Sequence, residues 1–266
     1  MLQRILVVLS FIAFIAITIV GGIYWNNQQN EVIQGKVKVE AQETERGEQS
    51  GTVADANRTE LQAKVKNLPK SAQTAFLRAY DENKQVRIAF VGSLSLGKGI
   101  GGWSDLVSEE LAEAYDDLVT ISTYQIDGSS NEFIVKGMAD EVAEEKFDIV
   151  MFEPFTLKDN GTIGIDNSLK NLTTAIEALK EANSNITIII QPPNPIFGAV
   201  NYPRQVEEDL KGYAEENDLP FFDHWDKWPD YQTQELLKYL DKEGMPNGDG
   251  HALWAEAIMN YFVAED

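Results

Sequence analysis

The sequence predicts an α/β domain built on a parallel sheet with helices on both faces. After Lys84, apolar runs of four to seven residues recur, and helical stretches fill each gap between them. The runs are largely apolar, as suits buried parallel strands.

Taken in order, the runs VRIAFV, LVTISTY, FDIVMF, ITIII and LPFFD predict five strands. Between them DLVSEELAEAY, EFIVKGMADEVAEE, SLKNLTTAIEALKEA and RQVEEDLKGYAEEN space their apolar residues as helices do, and ALWAEAIMNYFVA closes the chain as a last helix. In such doubly wound sheets a site belongs beyond the carboxyl ends of the strands, where the strand order reverses.

The segment before Lys84 divides in three. Ile5 to Tyr24 carries no charge over twenty residues, enough for a helix of about 30 Å to cross a bilayer core. Arg4 precedes it and the aromatic pair Tyr24 and Trp25 follows, so residues 1–25 are expected to be a retained signal anchor with everything after Trp25 outside the cytoplasm. Residues 26–57, rich in Gln, Glu, Asn, Gly and Thr, read as a solvated tether. Residues 58–84 read as two short helices broken at Pro69, leading into a domain over 85–266.

Composition excludes several classes of function. A net charge of −21 opposes the phosphates of DNA and RNA. With no cysteine there is no disulfide, thiolate nucleophile or lipidated cysteine, and with only His224 and His251 a histidine-built zinc site is not expected. No metal or organic cofactor is expected.

The first run ends in VRIAFVGSLSLGKGIGG, where a buried strand meets two serines and then a cluster of glycines. Gly92 to Lys98 fits the opening of a phosphate-binding loop, and Glu153 at the end of a later strand stands where a magnesium-side carboxylate would. Gly99, however, occupies the place of the Ser or Thr that holds the metal. A plain strand-to-helix turn would also use such glycines.

Read as a nucleophile loop, Ser93-Leu94-Ser95-Leu96-Gly97-Lys98-Gly99 resembles the first block of the SGNH/GDSL hydrolases, and the EPF-containing loop of FDIVMFEPFTLKDNG with the segments QPPNPIFGAVNYP and FFDHWDKWPD looks like a membrane-anchored branch of Gram-positive type. Val91 and Gly92 stand where that block has Gly and Asp. A register placing Ser95 as nucleophile agrees less well with the glycines. The resemblance runs from about Val86 to the C-terminus and implies a flavodoxin-like three-layer α/β/α fold with a five-stranded parallel sheet. It implies Ser93 as nucleophile, His251 as base and Asp249 as its orienter. The Ser93 N–H, the Gly128 N–H and the Asn160 amide would form the oxyanion hole. The last block departs from the pattern: in DKEGMPNGDGHALWAEA, Met245 stands in the histidine's place when Pro246 and Asn247 are aligned.

The plainer readings stand beside these. Asp249 also reads as a helix cap, His251 as a first-turn histidine, Asn160 and Gly128 as turn residues, and His224 as a second candidate base. The resemblance implies ester hydrolysis on acyl or acetyl esters, with envelope glycans or lipids as the substrate class. The rival is a degenerate domain that binds an envelope glycan or a partner protein.

Overall fold

The computed structural model describes residues 46–264. The expected anchor over 1–25, and the tether up to residue 45, lie outside the described residues. Among the described residues no helix is long and apolar enough to cross a membrane. By its contacts the chain divides at residue 56, and residues 57–266 form one compact unit.

Helix α1 spans Arg46–Lys64, so helix begins within the segment expected to be tether. Pro69 caps the following helix α2, Lys70–Asp81, where its missing N–H costs nothing. Strand β1 (Val86–Gly92) leads through a short 3₁₀ turn, Leu94–Leu96, to α3 (Trp103–Tyr115) and β2 (Val119–Gln125). The predicted helix after β2 is broken at Gly137, held at φ +72, into α4 (Ser130–Val135) and α5 (Met138–Glu144). Then come β3 (Ile149–Phe152), the short α6 (Thr156–Asp159), α7 (Ile165–Ala182) and β4 (Thr187–Ile190). Helices α8 (Asn201–Arg204) and α9 (Lys211–Glu216) are joined through a π-helical stretch, Gln205–Leu210, and α10 (Gly248–Phe262) ends the fold.

The sheet is parallel, in the order β2-β1-β3-β4. Among the described residues it has four strands, where five were expected. The fifth run, LPFFD, makes a single bridge between Ile190 and Phe221. Pro220 has no N–H with which to extend the ladder backward. Forward, Asp223 already caps the 3₁₀ turn His224–Lys227, with its side chain accepting from the Trp225 N–H.

Alternation along the strands divides the core into two layers. Ile88, Phe90, Ile149, Met151 and Ile189 face α3 and α10 through Trp103, Leu111, Trp254 and Ile258. Ala89, Val91, Val150, Phe152, Ile188 and Ile190 face α7 through Leu172 and Ile176. Apolar residues on both faces explain the unbroken runs of the sequence. The chain leaves β1 toward β2 on one side and later returns to β3 on the other, which opens a crevice at the carboxyl ends of β1 and β3.

Candidate active site

Ser93 is the first residue past β1 and Glu153 the first past β3. Because these strands are neighbours, the two residues meet: Ser93 Oγ–H donates to Glu153 Oε2 at 2.8 Å, and the Ser93 N–H donates to the same oxygen at 2.7 Å. Ser93 is only 9% exposed and Glu153 is fully buried. Among the described residues no cation acts on Glu153, and its Oε1 has no hydrogen-bond partner. Burial therefore pushes its carboxyl up to about 8, against the two Ser93 hydrogen bonds that favour the charge; Asp159 adds a smaller upward push.

Gly92, just before Ser93, has a specific reason to be glycine. A Cβ there would lie 2.5 Å from Leu96 and 2.6 Å from Glu153 Oε2. The Glu153 carboxyl fills the space that a side chain at position 92 would need.

The turn after Ser93 is closed on itself. Ser93 caps the Leu94–Leu96 turn, its Oγ accepting from the Ser95 N–H at 3.2 Å, and Gly97 ends that turn in the left-handed region at φ +67. The Gly99 and Gly101 N–H groups both donate to Asp105 Oδ2, at 2.7 and 3.0 Å. Amides so engaged are not free to cradle a phosphate, so the glycine cluster is a structural turn.

Ser93 and Ser95 line a cavity of about 200 Å³. Leu94, Ile126, Leu157, Ile196 and Met245 supply its apolar walls, and Gly128 lies at its edge. The Gly128 N–H has no hydrogen-bond partner among the described residues, which leaves it available to a developing oxyanion. Ser95 Oγ–H donates to Asn194 Oδ1 at 3.1 Å. An amide oxygen is no base, so Ser95 is tied rather than activated. Asn194, fully buried, also donates through Nδ2 to the Gly244 carbonyl at 2.9 Å and so holds the wall that carries Met245. Asn194 was not among the site residues expected from the sequence.

The other expected site residues are placed differently. The Ser93 N–H, expected in the oxyanion hole, is engaged by Glu153. Asn160 follows α6 as an exposed residue and does not line the cavity, because α6 turns the chain away after Glu153. His251 makes no hydrogen bond to Ser93. Its Nδ1 instead accepts the Trp103 N–H at 3.2 Å. Gly102, the N-cap of α3, has no side chain to satisfy that helix's first amide, and the imidazole takes over this role. With Nδ1 an acceptor, the neutral ring carries its proton on Nε2, the nitrogen that faces Gly97. Burial holds this ring below its ordinary pKa, with Asp105 and Asp241 opposing. Asp249 is exposed in the first turn of α10 and makes no hydrogen bond or ion pair with His251; its N–H is capped by Asn247.

His224 lies in the core. Trp228 Nε1–H donates to its Nδ1 at 2.9 Å, its Nε2–H donates to the Pro192 carbonyl at 2.8 Å, and its ring stacks on Trp254 at 4.0 Å. Both nitrogens are occupied, so it is not a base for Ser93. Burial pushes its pKa down to about 3.

His224 and Glu153 make opposite contributions to stability with pH. For His224 the unfolded chain binds the extra proton, so its contribution is complete above the unfolded pKa of 6.5 and is lost as pH falls toward 3. For Glu153 the folded chain binds the extra proton, so its contribution is complete below 4.5 and is lost as pH rises through 8. Between pH 5 and 6.5 the two slopes oppose each other. Urea unfolding of the Glu153→Gln variant, whose amide copies the protonated acid, is therefore expected to show a loss of about 2 kcal/mol from pH 6.5 to 5, a loss masked in the parent protein. At pH 7 the same variant should be the more stable of the two by up to about 3 kcal/mol.

No protein-family model matches the chain, and no curated protein matches it in sequence. Solved structures do match in fold. An acetyl esterase, crystallised as a serine-to-alanine mutant with an acetate ion, superposes with a TM-score of 0.55 at 18% identity, covering 66% of this chain and 95% of that one. A carbohydrate esterase of family 3 from Talaromyces cellulolyticus gives 0.54 at 18%, over 66% and 95%. A structure assigned to the lipolytic G-D-S-L family, from Desulfitobacterium hafniense, gives 0.52 at 17%, over 66% and 99%. With Ser93 at the end of β1 and the cavity beside it, the chain therefore has the α/β fold of the GDSL/SGNH lipolytic hydrolases and acetyl esterases.

Proposed function

We propose that this chain is a serine ester hydrolase, held at the cell membrane by its N-terminal apolar segment with the domain outside the cytoplasm, that acts on acyl esters. One observation carries the reading: Ser93 lines a largely apolar cavity, with Asp127, Lys158 and Glu243 also lining it, while its Oγ is hydrogen-bonded to a buried carboxyl. In this mechanism Ser93 Oγ attacks the ester carbonyl, the Gly128 N–H receives the oxyanion, and water later releases the acyl group from Ser93. The cavity, at about 200 Å³, is smaller than the roughly 300–1,000 Å³ of clefts that bury a drug-sized ligand. It suits the acyl part of an ester, leaving an envelope glycan or lipid alcohol outside. The twenty uncharged residues from Ile5 to Tyr24 support the anchor.

The test is covalent labelling. A fluorophosphonate is expected to modify Ser93 alone, identified by mass spectrometry of the labelled peptide, and p-nitrophenyl acetate and butyrate should compete with it. The second reading, a degenerate domain that binds without turning over, is favoured by Met245 in the cavity wall and by the engagement of His251 at α3. Absence of both labelling and turnover would decide for it.

A further inference from the structure

We infer that Glu153 is the general base for Ser93, doing from the end of β3 the work that the resemblance assigns to a histidine. This inference rests on the reading of the chain as a serine ester hydrolase. The geometry is direct: the proton to be removed from Ser93 Oγ already points at Glu153 Oε2, 2.8 Å away. Among the described residues no other basic group bonds to that hydroxyl, which otherwise accepts the Ser95 N–H. The site has been cleared for the carboxyl, since Gly92 lacks the Cβ that would strike it. Its second oxygen, buried and without a partner, has no structural bond to explain the cost of burying it.

The steps balance. Glu153 Oε2 takes the Ser93 proton as Oγ bonds to the carbonyl carbon and the π electrons move to the carbonyl oxygen, beside Gly128. The tetrahedral centre collapses, the C–O bond to the alcohol breaks, and the leaving alkoxide takes the proton from Glu153. Water then attacks the acyl-serine, gives its proton to Glu153, and the Ser93 C–O bond breaks as that proton returns to Oγ. An ester and water become an acid and an alcohol, with nothing else consumed.

A carboxyl shifted upward by burial is a stronger base than an ordinary one once ionised, and is ionised only on the alkaline side. The titratable groups facing it are Asp159 from α6 and Tyr202 from α8, and burial, with Glu153 nearby, pushes the Tyr202 phenol well above its usual range. Neither supplies a positive charge, so activity should rise with pH through the Glu153 ionisation.

The experiment measures the second-order rate of Ser93 labelling by a fluorophosphonate, and kcat/KM for p-nitrophenyl butyrate, from pH 5 to 10. It uses the parent chain and the Ser93→Ala and Glu153→Gln variants, with melting curves to check folding. In the parent, both rates are expected to climb to a plateau with a midpoint near 8. In Glu153→Gln both should fall at least about 100-fold and lose the pH dependence, while the melting temperature is kept or raised. A purely structural role for Glu153 would lower stability and leave the midpoint of the profile in place. A folded Glu153→Gln variant within tenfold of the parent overturns the inference while leaving the hydrolase reading intact. Full activity in Ser93→Ala overturns both. If Glu153→Gln does not fold, the parent profile decides: a midpoint near 8 sustains the inference, and one near 6.5 alone, where a histidine ordinarily titrates, overturns it.

Discussion

Ser93→Ala is expected to bring ester turnover to the uncatalysed background, a loss of about 10³-fold or more, in a protein that still folds. In the proposed mechanism the loss is that of covalent catalysis: without Oγ there is no acyl-enzyme, and the Gly128 N–H has no tetrahedral intermediate to stabilise. The fold survives because little of it hangs on the hydroxyl. Glu153 loses one donor and keeps the other, the Ser93 N–H at 2.7 Å. The Ser95 N–H loses a 3.2 Å acceptor at the start of a three-residue turn. Together these should cost about 1 kcal/mol. Turnover of p-nitrophenyl butyrate, read beside a urea melt of the same sample, separates the two effects. Residual activity above about a tenth of the parent rate would assign the nucleophile to another residue.

The strands that build this site were legible because β1, β3 and β4 are buried on both faces and largely apolar on both. Four of the five expected runs became strands. The fifth failed for a local reason, a proline at one side and a capped turn at the other. Ser93 was legible as a candidate because the spacing of Ser, Leu and the two glycines is local to one loop. Glu153 was visible as a carboxylate ending an apolar run but could not be given a role. Its partner lies 60 residues away, and only the order β2-β1-β3-β4 makes them neighbours. His251 shows the converse. Its position just before the last helix suggested a base, yet an imidazole that caps a neighbouring helix and one that serves a nucleophile have the same sequence signature. What separates them is the unfilled N-cap at Gly102, a feature of a different helix. Asn160 was displaced because the short α6 intervenes between strand and asparagine, and its four residues carry no strong helical pattern to announce it.

The glycines of the loop offer the second large effect. Gly102→Ala is expected to destabilise the domain by about 3 kcal/mol, lowering its melting temperature by roughly 6–12 °C. The backbone angle at 102 is ordinary, φ −76, so the cost is contact and not conformation. An added Cβ would stand 2.4 Å from the Gly97 Cα and 2.6 Å from the Gly97 carbonyl oxygen, and the backbone there cannot rotate aside as a side chain can. Gly97 has no room to retreat, because it packs against the His251 ring and itself accepts the Gly102 N–H at 3.0 Å. Any relief must therefore move the turn that carries Ser93, and activity should fall with stability. Gly99→Ala is the control. At φ +79 it pays conformational strain of about 1–2 kcal/mol, yet nothing lies within 4 Å of its missing Cβ. Differential scanning calorimetry of both variants tests the distinction: a milder loss at 102 than at 99 would mean that backbone angle governs the loop, and that the close packing of Gly97, Gly102 and His251 does not hold the nucleophile in place.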